Sequence, residues 1–201
     1  MAELRRRLVH ASGVVIPLSY LLGVVSYRQL GLLLLAGSAI VVGLELLRLR
    51  TDSVPGPLAA LFSALTRPYE QDGVAGYALY VFSMTLVALV FPPIAAIPGM
   101  LMLALADPVG GVLGSAGPGE RKRLPVLVVT FLVAMGLALA AMWAIDPAAT
   151  PWVRVLAAAV GALAATLADG YTIVVFDRVV DDNATIPPAA AVGIAAVLWL
   201  V

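Results

Sequence analysis

The chain has 201 residues, of which 62% are hydrophobic and 12% charged, and its mean hydropathy is +1.04. Soluble domains are nearer half apolar and a quarter charged, so this composition specifies a polytopic membrane protein. Twelve Lys and Arg balance twelve Asp and Glu, which leaves no basic field for nucleic acid; with no cysteine and His10 as the lone histidine, thiolate catalysis, disulfides, iron–sulfur clusters and Cys/His zinc sites are excluded.

Seven apolar segments follow in chain order: Leu8 to Ser26, Leu30 to Leu47, Val74 to Phe91, Ile94 to Gly114, Leu124 to Ile145, Trp152 to Phe176, and Ile186 to Val201. They are continuous and rich in Leu and Ala, without the alternation of a membrane barrel, which predicts helices. All but the seventh are long enough to cross a hydrocarbon core of about 30 Å at about 1.5 Å per residue. The first follows Arg5, Arg6 and Arg7 like the start of a signal peptide; because Pro17 interrupts it and no clean cleavage site follows, it is read as a retained helix. The expected fold is all-α: one integral membrane domain over residues 1–201, with about seven transmembrane helices and a cytoplasmic N-terminus.

That orientation places Arg5, Arg6, Arg7, Arg48, Arg50, Arg67, Arg121, Lys122, Arg123 and Arg178 on the cytoplasmic side, leaving only Arg28 and Arg154 opposite, as the positive-inside rule requires. Acidic residues contribute little to topology, yet Glu3, Glu45, Asp52, Glu70, Asp72, Asp107, Glu120, Asp169, Asp177, Asp181 and Asp182 fall on the same side and only Asp146 opposite. A charge at mid-helix costs about 2.5–3.5 kcal/mol on the insertion scale. Glu45, Asp107 and Asp169, inside or at the ends of apolar segments, are therefore expected to face a polar interior at one membrane face.

Three constellations are candidates for chemistry there. In ADPVGGVLGSAGPGERKR, from Ala106 to Arg123, an aspartate is followed by Gly110, Gly111, Gly114, Gly117 and Gly119 and then by Arg121, Lys122 and Arg123. Glycines permit close approach of backbone to phosphate and the basic run supplies charge-assisted hydrogen bonds, although no GxxxxGK[ST] motif occurs; a flexible cytoplasmic loop fits equally. In DGYTIVVFDRVVDDNATIP, from Asp169 to Pro187, four aspartates and Asn183 offer hard oxygen ligands of the kind Mg²⁺ takes. Asp177 and Asp181 share a face if the helix continues, and the alternative is a solvated turn in which Asp181, Asp182 or Asn183 caps the last helix. The third set is Arg6, Arg7, His10, Glu45 and Arg48: His10 is placed to bind phosphate or shuttle a proton, or else His10 and Arg48 pair with Glu45 to lower its cost in the bundle. YEQDGVAGY, with Tyr69, Glu70, Asp72, Gly73 and Gly76, leads into the third helix.

RRRLVHASG, LELLR, ALADPVGGVLG and above all DDNATIP resemble the dolichol kinase and phytol kinase family of membrane enzymes, which is related to the CTP-using phosphatidate cytidylyltransferases. The resemblance covers most of the chain in the same order. It departs at Gly110, where the family commonly has alanine, at Asp169, where a glutamate is frequent, and at Arg121, Lys122, Arg123 and Leu124, which replace a lysine, threonine, glutamate and glycine cluster. The family implies transfer of the γ-phosphoryl group of CTP to the hydroxyl of a membrane isoprenoid alcohol at the cytoplasmic face of the bilayer. It further implies Mg²⁺ held by Asp107, Asp181, Asp182 and Asn183, and nucleotide contacts from Gly110, Gly114, Arg121, Lys122 and Arg123. Catalytic roles are expected for Asp169 or Glu45 as proton acceptor and for His10. Two other readings remain open: a cytidylyltransferase acting on a phospholipid or isoprenoid phosphate, and a small membrane transporter without enzymatic activity.

Overall fold

The computed structural model describes residues 2–51, 56–66, 70–71, 73–114, 120–171, 173–175 and 178–201, with backbone only at 2–6, 61, 64, 173–175 and 178–179. Helices dominate, as the composition requires. Among the described residues five are long and apolar enough to cross a membrane: α3 (Tyr27–Arg50), the continuous run Pro93–Leu113, α8 (Leu124–Ile145), α9 (Pro151–Gly170) and α10 (Asp182–Leu200). The run Pro93–Leu113 comprises α6 (Pro93–Leu101), a π turn (Met102–Ala106) and α7 (Asp107–Leu113).

The first expected segment is two helices, α1 (Ala2–Ser12) and α2 (Val15–Leu21), broken at Gly13 and Val14 and not at Pro17, which is buried inside α2. A tight turn with Gly23 at φ 70° then leads to α3, whose start is locked by a capping box: Gln29 N–H donates to Ser26 Oγ, and Ser26 N–H to Gln29 Oε1. A short helix, α4 (Gly56–Leu65), lies outside the seven expected segments. The third segment forms α5 (Gly76–Val90), whose 15 residues rise only about 22 Å.

The last two segments depart most from expectation. Helix α9 stops at Gly170 and does not run to Phe176; β1 (Ile173–Val175) pairs antiparallel with β2 (Arg178–Val180), Ile173 opposite Val180. Ile and Val favour the pleated conformation, so an apolar run read as helix becomes a hairpin. The helical face expected to join Asp177 to Asp181 does not form, and Asp177 itself lies outside the described residues. Helix α10 begins at Asp182 rather than Ile186, because Asp181 Oδ1 caps it by accepting from Asn183 N–H at 2.9 Å, and it carries Pro187 and Pro188 within it. The seventh segment thereby becomes long enough to span.

The core lies where α6 and α10 cross the bundle: Ile97, Met100, Met102, Leu103, Ile186 and Ile194 are fully buried, while the outward residues of α3, such as Leu32, Leu33 and Ile40, are exposed. An apolar exterior is what a bilayer solvates. Within it, small residues let backbones touch: a Cβ at Gly161 of α9 would lie 3.1 Å from Ala190 O, and one at Gly193 of α10 would lie 3.1 Å from Gly161 Cα. Ser38 and Thr85 join α3 to α5 through their hydroxyls at 2.7 Å. The helices alternate in direction, so the α3 and α9 C-termini and the α5, α8 and α10 N-termini gather at one end of the bundle. At the other end Tyr27 OH donates to Phe91 O at 2.6 Å, and Arg154 lies over the Trp143 ring, donating to Asp146 O and Ala149 O.

Candidate functional site

Three carboxylates meet at the polar end. Asp107 opens α7, Asp169 is the penultimate residue of α9, and Asp182 opens α10; one ligand atom from each lies within 4.8 Å of the others. Lys122 enters among them, its Nζ 2.5 Å from Asp169 Oδ1 and 4.0 Å from Asp107 Oδ1, with its side chain 8% and that of Asp169 1% exposed. The backbone explains its place: Lys122 N–H donates to Gly170 O at 3.1 Å and Arg121 forms an isolated β-bridge with Tyr171, which ties the segment before α8 to the end of α9. One ammonium among three carboxylates leaves negative charge over, in a setting where charge is poorly solvated.

Gly110 forms the wall of this cluster. A Cβ there would lie 2.6 Å from Thr130 Oγ1, 3.3 Å from Asp169 Oδ2 and 3.6 Å from Lys122 Nζ. Thr130 Oγ1 and Asp169 Oδ2 are both buried without a hydrogen-bond partner. Hard oxygens, surplus charge, two unpartnered buried oxygen atoms and a cradle kept clear by glycine are the properties a small divalent cation requires. The next glycines face cations as well: the Arg7 guanidinium carbon would be 3.5 Å from a Cβ at Gly111, and Arg123 Nη2 3.8 Å from one at Gly114.

His10 comes to the same place from α1, with Nε2 2.8 Å from Leu103 O and 3.4 Å from Asp107 Oδ2. It does not pair with Glu45. Glu45 instead belongs to a second polar group: its carboxylate accepts from Arg48 Nε and Nη2, from Ala75 N–H at 2.7 Å, and from the Tyr77 hydroxyl. Arg48 also donates to Gln71 O and Gly73 O, so the pair clamps the approach to α5. A carboxylate with four donors on it is a structural anchor.

Of the expected metal ligands, Asp107 and Asp182 enter the carboxylate cluster. Asp181 turns away to cap α10 and accepts from Asn183 Nδ2 at 2.6 Å; with Asn183 and Glu70 it surrounds Gly76, where a Cβ would lie 3.0 Å from Asn183 Nδ2 and 3.2 Å from Glu70 Oε1. Asp169, expected as a proton acceptor, stands inside the cluster. Arg121 and Arg123 are exposed beside it. Sequence reasoning missed Thr130, for which a lone hydroxyl inside LPVLVVTFLVA was the available signal. Comparison with family models, with curated proteins and with solved structures gives no match to this chain.

Proposed function

We propose that this protein is a CTP-dependent kinase of long-chain isoprenoid alcohols, working at the cytoplasmic face of a membrane that it crosses about seven times with its N-terminus inside. The observation that carries the reading is the meeting of Asp107, Asp169 and Asp182 from three separate elements around Lys122, at one end of an otherwise apolar bundle. The family resemblance supplies CTP and the isoprenoid acceptor.

Phosphoryl transfer depends on positioning and charge neutralisation more than on covalent participation of the protein. Asp107, Asp169 and Asp182 are the residues that would hold Mg²⁺. When bound, the ion neutralises the phosphate oxygens of the donor and of the group in flight. Lys122, Arg7 and Arg123 flank the same glycine-bearing turn and bind the remaining phosphate charge, Arg7 on the Gly111 side and Arg123 on the Gly114 side. The acceptor hydroxyl oxygen bonds to the terminal phosphorus as the bond to the bridging oxygen breaks. A nucleoside diphosphate leaves, and the hydroxyl proton passes to interfacial water. The acceptor tail lies along the apolar exterior.

The test is to supply γ-labelled or α-labelled CTP with Mg²⁺ and mixed prenols to the protein in lipid nanodiscs. Label in the lipid from the γ position alone supports the kinase. Lipid label from the α position with release of pyrophosphate replaces it with a cytidylyltransferase, and no lipid label from either rejects nucleotide-dependent transfer to these acceptors.

A further inference from the structure

We propose that His10 is the positioning residue for Asp107: its Nε2–H fills a backbone carbonyl that the helix cannot satisfy and thereby fixes the turn that aims Asp107 into the carboxylate cluster. The proposal rests on the reading of Asp107, Asp169 and Asp182 as a cation site.

Asp107 N–H donates five residues back, to Met102 O. At that spacing the carbonyl of Leu103 awaits the N–H of residue 108, which is Pro108 and has none. The partner four residues on, Asp107 N–H, has already turned to Met102. Leu103 is fully buried, so water does not reach its carbonyl through the core. His10 Nε2 stands 2.8 Å from that oxygen. A carbonyl only accepts, so Nε2 carries a proton toward it, and this nitrogen is a donor and not a base. The same Nε2–H lies 3.4 Å from Asp107 Oδ2, so one imidazole edge touches both the orphaned carbonyl and the carboxylate it precedes.

His10 is itself held in place. Tyr80 of α5 meets its ring edge-on with centroids 4.6 Å apart, and the Tyr80 hydroxyl donates to His10 O at 3.1 Å. Gly13 makes room for this contact, because a Cβ there would collide with the Tyr80 hydroxyl. The break between α1 and α2 thus sits where the chain must let Tyr80 reach His10. A π turn, a proline just past it and a histidine from a distant helix form one device, whose product is the direction of Asp107.

The experiment measures Mn²⁺ affinity by paramagnetic resonance on the full chain in nanodiscs, without nucleotide. His10→Leu removes the donor, whereas His10→Gln places an amide N–H at about the same reach. We expect His10→Leu to weaken Mn²⁺ binding at least about tenfold, as loss of a residue that orients a metal ligand does, and His10→Gln to stay within about threefold of the parent. Pro108→Ala restores an N–H at the position Leu103 O lacks, so the double variant His10→Leu/Pro108→Ala should regain most of the lost affinity. That rescue also covers the case in which His10→Leu alone folds poorly. Parent-like Mn²⁺ binding by His10→Leu, or a double variant as weak as the single one, overturns the proposal and leaves the cation site standing. Absence of Mn²⁺ binding by the parent itself overturns both.

Discussion

Asp181 and Asp182 are neighbours in the chain, yet the fold gives them different work. The first accepts the Asn183 N–H as the cap of α10, while the second, one residue into the helix, turns about 100° around the axis toward Asp107 and Asp169. Asp182→Asn should therefore weaken Mn²⁺ affinity about tenfold or more, by removing charge from the ligand itself. Asp181→Asn should leave both affinity and melting temperature near the parent, because asparagine caps as well as aspartate, while Asp181→Ala should cost about 1 kcal/mol of stability in thermal unfolding. Equal loss of Mn²⁺ binding in the two asparagine variants would contradict this division. Glu45 likewise stands apart from the cluster: Glu45→Gln, which removes the charge facing the partly buried Arg48 while Arg48 keeps its carbonyl acceptors at Gln71 and Gly73, should lower stability by about 1–3 kcal/mol in thermal unfolding. Span boundaries and the positions of the basic residues placed all these acids at one end but carried no information on which way each side chain turns.

Among the elements, those whose length alone decides them were legible. Helix α8 runs from Leu124 to Ile145 as expected, an uninterrupted apolar stretch starting just before Pro125 at its first turn. Within the segment expected as one helix from Trp152 to Phe176, apolarity does not distinguish helix from strand over the β-branched run that forms β1. The close approach of α7 to α8 was invisible for another reason: it depends on Gly110 facing Thr130 across sequence-distant helices. Gly110→Ala should cost about 1–3 kcal/mol by overpacking, and Thr130→Ala added to it should recover most of that loss. Chemical denaturation of the three variants in detergent checks the cycle, and additive losses would contradict a direct contact.

Over the whole molecule, segregation of charge is the main result. Among the described residues most carboxylates and most basic residues occupy one end, and the other holds Arg28, Arg154 and Asp146, whose carboxylate accepts from Ala148 N–H. Because the chain has no cysteine, single substitutions Glu120→Cys and Ala148→Cys report its orientation directly. A membrane-impermeant thiol reagent applied to sealed, right-side-out cells should label Ala148→Cys and spare Glu120→Cys until the membrane is opened; the reverse pattern would invert the proposed topology. By itself the sequence determined a largely helical, bilayer-solvated chain with most of its ionisable groups toward one face, since composition, span length and the cost of burying charge all act locally. Only the tertiary structure decided that Asp107, Asp169 and Asp182 meet around Lys122, while Asp181 caps a helix and Glu45 anchors a loop. Those outcomes depend on helix rotation, a π turn ahead of Pro108 and glycine-permitted contacts, which act over a few ångströms between residues far apart in the chain.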